Sequence, residues 1–315
     1  MSSGSPAVSP RGAKAVEVAA QAKLNLRLHI LAKETTGYHQ LETLFLRIEL
    51  ADTVRIRRTS GACSLDVTGK VDTALLGPVE KNLAWRAAEL YFAASGMRGG
   101  FAIEIEKRIP IGGGLGGGSA DAAAVLRALS AMDDEPMDPE HLLNLAEQLG
   151  ADVPFLATEH AYALAWGRGE RMLALPPPPA CDVLLLVPSF SVSTAEAFGW
   201  LGDPAVTHSA LRHTRSVTFI AAQFSDWNAL RTLARNDFEW AVERHHPELR
   251  ALYDYLGWLG RPIVGMSGSG STLFAIWTSD SPRTPPAGLA LEMPSGVQFV
   301  ETRTATRVEQ VSAIE

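Results

Sequence analysis

Cysteine is scarce in this chain, with only Cys63 and Cys181 among 315 residues, and neither belongs to a C-x-x-C pair. That excludes a disulfide framework and a cysteine zinc site, and it points to a reducing, cytoplasmic setting. No apolar run approaches the ~20 residues a membrane-spanning helix needs, so no membrane partner is expected. The opening MSSGSPAVSPRGAK is small, polar and proline-bearing, lacks the apolar centre of a signal peptide, and reads as a disordered tail over residues 1–14. Basic excess is missing as well. At a net charge of −7 no global field draws nucleic acid, so any phosphate must be held locally.

What is present is a globular composition, 46% hydrophobic and 20% charged, in a chain long enough for two domains. KLNLRLHIL alternates strictly, with Leu24, Leu26, Leu28 and Ile30 on one face and Lys23, Asn25, Arg27 and His29 on the other, which predicts a half-buried strand. NLAWRAAELYFAA has helical spacing and stops at Gly96, a C-cap; FAIEIEK alternates again. DPEHLLNLAEQLG starts on Asp138 as N-cap with Pro139 behind it. DVLLLVP reads as a buried strand, and RTLARNDFEWAV and PELRALYDYLGWLG as two helices. Strands and helices interleave without a clean β-α-β repeat, so the fold class is α+β. The domain change falls between Asp152 and the stiff proline run at 176–179, set here at residue 170: an N-terminal domain over 15–170 and a C-terminal one over 171–315.

The most informative stretch is PIGGGLGGGSADAAAVLRAL at residues 110–129. Each glycine costs roughly 0.5–1 kcal/mol in regular structure relative to alanine, so something else requires bare backbone there. Ser119 is a good N-cap, and the alanines after it favour helix. The first turn of such a helix leaves amide N–H groups open with a partial positive charge, and glycines ahead of it let an anion approach. A G-x-G-x-x-G match exists at Gly112, Gly114 and Gly117, but no acidic ribose partner follows at a strand end. A P-loop is excluded because no Lys-Ser/Thr pair follows the last glycine, and flexible linkers do not sit wedged between a strand and a strong helix. The stretch therefore predicts a phosphate cradle made of backbone.

PIGGGLGGGSADAA resembles the phosphate-binding motif of the GHMP kinases, named for galactokinase, homoserine kinase, mevalonate kinase and phosphomevalonate kinase. AKLNLRLHILAKETTGYHQLETLF, GADVPF and GMSGSGSTLFAIW are similar to the other signatures of that family and fall in its order along residues 22–277. The resemblance implies two domains, an N-terminal one like ribosomal protein S5 domain 2 with a left-handed β-α-β crossover and a C-terminal ferredoxin-like one, with the active site between them. It implies transfer of the γ-phosphoryl of ATP, with Mg²⁺, to a small-molecule alcohol. TGYH points to the family's branch acting on a cytidine diphosphate conjugate of methylerythritol, on the route to isoprenoids. A sibling kinase of the family, or a silent nucleotide-binding regulator, is the alternative.

By the same resemblance Asp152 is the base and Lys23 the ammonium paired with it; on residues alone Asp152 is equally a turn cap and Lys23 a solvated strand residue. The ATP-binding set is Pro110, Ile111, Gly112, Gly113, Gly114, Leu115, Gly116, Gly117, Gly118, Ser119 and Ala120, with Asn82 and Lys107 near adenine; on residues alone Asn82 is equally a helix cap and Lys107 an exposed strand end. Substrate contacts are Asn25, Tyr38, His39, Phe198, Gly268 and Ser269, the aromatic ones against cytosine; on residues alone TGYH is equally a turn, Phe198 core packing and GMSGSG a tight turn into a strand. Ser119 and Asp121 are the metal candidates, since a hard cation prefers oxygen; Asp121 equally suits the positive end of a helix. Family members of this branch often carry Ser-Ser-Asn where this chain has Ser119, Ala120 and Asp121. The oligomeric state is not readable.

Overall fold

The structure is a computed structural model that describes residues 10–35, 37–69, 77–201, 219–260, 262–280 and 296–314. Of the expected tail, residues 1–9 lie outside that description. Residues after them are tied down: Gly12 N–H donates to Met132 C=O at 3.1 Å, and Lys14 C=O accepts from Arg58 N–H at 2.9 Å.

The first lobe is an eight-stranded sheet. Strands β1 (Ala15–Lys33) and β2 (His39–Thr59) form a long antiparallel hairpin. The first half of β2 pairs with β5 (Tyr162–Gly167), and its second half pairs with β4 (Gly100–Lys107). The edge strand β3 (Ser64–Gly69) runs parallel to β4, and α1 (Leu83–Ser95) joins the two. Helices α1, α2 (Gly117–Met132), α3 (Pro139–Glu147) and α4 (Val153–Ala157) pack together against the sheet. Ala120, Ala122, Ala123 and Ala128 of α2 are at most 2% exposed, so small side chains let this helix lie close to its neighbours. Local signals behave as read: Asn82 caps α1 by accepting from Ala84 N–H, Gly96 closes it in the left-handed region at φ 70°, and Asp138 caps α3.

The second lobe is a four-stranded antiparallel sheet in the order β11-β7-β10-β9, formed by Asp182–Pro188 (β7), Ile263–Met266 (β9), Leu273–Trp277 (β10) and Val297–Arg303 (β11). With the first strand between the fourth and the third, and the second at the edge, this is ferredoxin-like order. Helices α5 (Thr194–Leu201), Glu239–His245 and Leu249–Trp258 share its apolar core through Ala197, Val242, Leu252 and Leu256.

Two departures from the sequence pattern matter. Lys23 and Asn25 are 2% and 3% exposed, although alternation places them on a polar, solvated face. The register of β1 against β2 shifts between Gln21 and Lys23 and again between Asn25 and Arg27, and such bulges re-aim side chains. Both residues consequently face the space between the lobes. The stretch RTLARNDFEWAV is not one helix either. A helix over Trp227–Leu233 ends, β8 (Arg235–Asn236) pairs in parallel with β1, and the next helix starts at Glu239.

The lobes also exchange strands. The β5–β6 hairpin, with β6 at Arg171–Ala174, spans residue 170. The strand β12 (Ser312–Ile314) returns to β1, pairing Ala15 with Ile314, while Ala305 N–H donates to Arg47 C=O at 2.9 Å.

Candidate active site

A cleft of about 690 Å³ runs between the lobes, floored by the glycine loop and the start of α2. Helix α2 begins two residues before Ser119, with Gly116 as N-cap at φ 73°. Glycine tolerates that left-handed geometry, so the helix starts earlier than the Ser119 cap the sequence suggests, and Ser119 sits in the first turn lining the cleft. Ala120 N–H donates to Gly116 C=O at 2.8 Å and its methyl is buried in the core. Ala120 is not among the residues that line the cleft.

Loop carbonyls are held from behind. Gly114 C=O accepts from Lys23 Nζ at 2.9 Å and from Ser267 Oγ at 2.9 Å, while Gly113 C=O accepts from Thr272 N–H and Leu115 C=O from Lys23 N–H. At Gly114, φ is +76° and a Cβ would stand 2.1 Å from Ser267 C=O, so only glycine lets the loop meet the second glycine-rich turn. Residues 110–119 all line the cleft.

Lys23 Nζ lies 3.1 Å from Asp152 Oδ2 and donates to Asn25 Oδ1 at 2.7 Å. The Asn25 amide is itself fixed by donating to Thr43 Oγ1 at 2.8 Å. Asp152 precedes α4 yet makes no side-chain capping bond, and its side chain is 30% exposed while that of Lys23 is 3%. A buried ammonium thus holds a carboxylate that faces the cleft. Gly268 and Ser269 complete this end of the cleft.

Sequence reasoning missed the residues that aim these groups. Arg47, 1% exposed, donates to C=O groups at the end of α4: Phe155, Leu156 and Thr158 at 3.2, 2.8 and 3.0 Å. A cation there satisfies the open carbonyls of the short helix that Asp152 begins. Burial pushes the Arg47 pKa down to about 9, and Arg127 adds to this. Asp52, fully buried, accepts from Arg108 N–H at 2.5 Å and Ile109 N–H at 2.8 Å, fixing the root of the glycine loop.

Lys107 joins Asp52 and Asp121; its ammonium pairs with Asp52 and lies 2.7 Å from Asp121 Oδ2. Its side chain is thereby committed to two carboxylates at the cleft wall, and the Lys107 pKa is raised, although burial opposes its charge and the two carboxylates prevail. Asp121 is 4% exposed and lines the cleft, yet its Oδ1 has no hydrogen-bond partner. Burial pushes its pKa up to about 7, against the pull of Lys107. Asn82 lines the same end while serving as a helix cap.

At the opposite end His39 stacks on Phe198 with ring centroids 4.3 Å apart and planes 12° from parallel, and Phe198 lines the cleft. Burial and Lys33 lower the His39 pKa. Tyr38 is 60% exposed beside them, with the Arg168 guanidinium 4.0 Å over its ring. His39 and Tyr38 stand at the rim, not in the cleft wall.

A ferredoxin-like lobe facing a sheet-and-helix lobe across a glycine loop defines a class, and the comparisons agree. The N-terminal domain of GHMP kinases matches residues 82–160, and their C-terminal domain matches residues 217–284. The chain belongs to the GHMP kinase family. Within it, a 4-diphosphocytidyl-2-C-methyl-D-erythritol kinase of Pelotomaculum thermopropionicum is 40% identical over 258 residues, covering 82% of this chain and 87% of that one. The kinase of the same name from Heliobacterium modesticaldum is 33% identical over 308 residues, covering 94% and 96%. A crystal structure of 4-(cytidine 5'-diphospho)-2C-methyl-D-erythritol kinase superposes at a TM-score of 0.70 with 34% identity, covering 91% of this chain and 98% of that one. A homoserine kinase from Cytophaga hutchinsonii shares the fold at a TM-score of 0.63 and 16% identity.

Proposed function

We propose that this protein transfers the γ-phosphoryl of ATP to a hydroxyl of 4-diphosphocytidyl-2-C-methyl-D-erythritol, the alcohol named by its relatives. The observation that carries this reading is the Lys23–Asp152 pair beside the glycine loop, a carboxylate within reach of the floor where a triphosphate would rest. The substrate oxygen attacks the γ-phosphorus, its proton passes to Asp152, and ADP leaves. Lys23, already fixed by Asn25 and Gly114, offsets negative charge on the transferred group. Open amides of Gly117, Gly118 and Ser119 in the first turn of α2 bind the phosphates.

The fit of Mg²⁺ rests on Asp121, whose buried Oδ1 lacks a partner at this helix start, and on the nearby Ser119 hydroxyl. These oxygens suit a hard cation that keeps most of its waters, and when bound it supplies charge neutralisation on the phosphates. His39, Tyr38 and Phe198 form the cytosine end, where an incoming base takes over the stacking on Phe198 that His39 now provides. No helix among the described residues is long and apolar enough to cross a membrane. The test is an ATP-, Mg²⁺- and alcohol-dependent ADP release assay with purified substrate. Turnover with another alcohol instead, or ATP binding without turnover, overturns the reading.

A further inference from the structure

Asn236 belongs to none of the groups that face the ligands, yet it is 4% exposed and nearly fully hydrogen-bonded. Its Nδ2 donates to Met266 C=O and to Gly268 C=O, each at 2.7 Å, and its Oδ1 accepts from Phe238 N–H at 2.9 Å. It lies on β8, whose pairing with Arg27 and Leu28 anchors it to the strand carrying Lys23 and Asn25. Asp237 strengthens that anchor, accepting from Ile30 N–H at 2.9 Å and donating its own N–H to Leu28 C=O at 3.0 Å. One side chain therefore ties the catalytic strand of the first lobe to the glycine-rich turn of the second.

The tie also sets a direction. In a trans peptide the C=O and the following N–H point opposite ways. With Met266 C=O turned toward Asn236, Ser267 N–H points away and donates to Thr272 C=O at 3.0 Å. With Gly268 C=O turned the same way, Ser269 N–H points away from Asn236, and Gly268, Ser269 and Gly270 all line the cleft. Gly268 sits at φ +59°, and a Cβ there would stand 3.3 Å from Lys23 Nζ, so this peptide borders the reacting centre. We propose that Asn236 is a positioning residue that fixes Ser269 N–H as a donor to a phosphate oxygen of the bound ligand. A donor held in place before the ligand arrives needs no reorganisation when charge builds up. The inference rests on the phosphotransfer reading above.

Amide resonances of the full-length protein separate the two. In the wild type, ADP shifts the Gly117 and Gly118 amides, and Ser269 N–H shifts with ADP or with cytidine diphosphate, the responding arm identifying which phosphate it meets. In Asn236→Ala, or Asn236→Ser should the alanine variant be insoluble, the Ser269 response is lost and the glycine-loop response is kept. kcat then falls on the order of 10²-fold, the cost of removing one such donor, while KM for ATP stays within about threefold. A wild-type Ser269 amide that responds to neither nucleotide overturns the inference. So does a variant whose Ser269 response and kcat are unchanged. A glycine loop silent to ADP in the wild type overturns the nucleotide reading and this inference with it.

Discussion

Lys23 and Asp152 meet 3.1 Å apart, although they are contributed by the first strand of the large sheet and by the turn into α4. Neither supports the core. Lys23→Met leaves Gly114 C=O with its bond from Ser267, and Asp152→Asn removes no helix cap. Each variant is expected to fold with a near-normal melting temperature and to lose kcat by roughly 10²–10⁴-fold, the range for a positioned proton acceptor and its partner. Steady-state kinetics on soluble protein checks this, and kcat within tenfold of wild type in either removes its role.

Glycines in the loop are not equivalent. A Cβ on Gly114 would stand 2.1 Å from Ser267 C=O, and backbone cannot yield to it, so Gly114→Ala costs about 2 kcal/mol or more and weakens ATP binding. On Gly118 the nearest atom is Leu83 Cδ1 at 3.8 Å, and alanine there favours helix by up to about 1 kcal/mol. Thermal melts of the pair with and without ADP are the check; equal losses in both contradict it.

Asp121→Asn keeps the shape of the side chain and leaves Lys107 paired with Asp52. The Mg²⁺ concentration for half-maximal velocity is expected to rise ~10-fold, as for a group that orients a metal or its waters. Titration of Mg²⁺ at saturating ATP measures it, and an unchanged midpoint returns Asp121 to a purely electrostatic role at the helix start.

Glu239 gives the second lobe a pH dependence. Its Oε1 accepts from Met266 N–H at 2.9 Å, and burial raises its pKa from 4.5 to about 7 despite nearby Arg235. The folded state then holds a proton that the unfolded state releases. Stability contributed by this group falls as pH rises from about 4.5 to 7 and stays low above that. Glu239→Gln keeps the acceptor and removes the charge, so it is expected to be more stable than wild type at pH 8 by roughly 1–3 kcal/mol and to differ little at pH 4.5. Parallel denaturant melts at both values test this; an equal difference at the two refutes it.

Cytidine diphosphate is expected to raise the melting temperature of the wild type and to protect a His39→Ala, Phe198→Ala double variant far less. The shift follows the ratio of ligand to Kd. Equal protection of both proteins removes the rim stack from the substrate site.

The glycine loop was legible because its chemistry is backbone chemistry, and residue type alone announces where side chains are forbidden. Asn82 and Asp138 were legible for the related reason that a cap acts within three residues of itself. Alternation misled at Lys23 and Asn25, because a bulge and a second lobe are invisible to a pattern of period two. Arg47, Asp52 and Asn236 were not legible. Their partners are Leu156, Ile109 and Gly268, 109, 57 and 32 residues away in sequence. The local bond from Phe238 N–H to Asn236 Oδ1 competes with the helix predicted across these residues, while Asp237 accepts from Ile30 N–H, 207 residues away.

The strand exchange between the lobes has a consequence for how the molecule comes apart. Pairing of Ile314 with Ala15 and the bond from Ala305 to Arg47 make the sheet that carries Lys23 depend on the far end of the chain. Neither lobe is a self-sufficient piece: cutting the polypeptide after the proline run would strand β1 without two of its neighbours, β8 and β12. Heating should therefore dismantle both halves in one calorimetric transition, with the catalytic strand lost at the same temperature as the ferredoxin-like sheet.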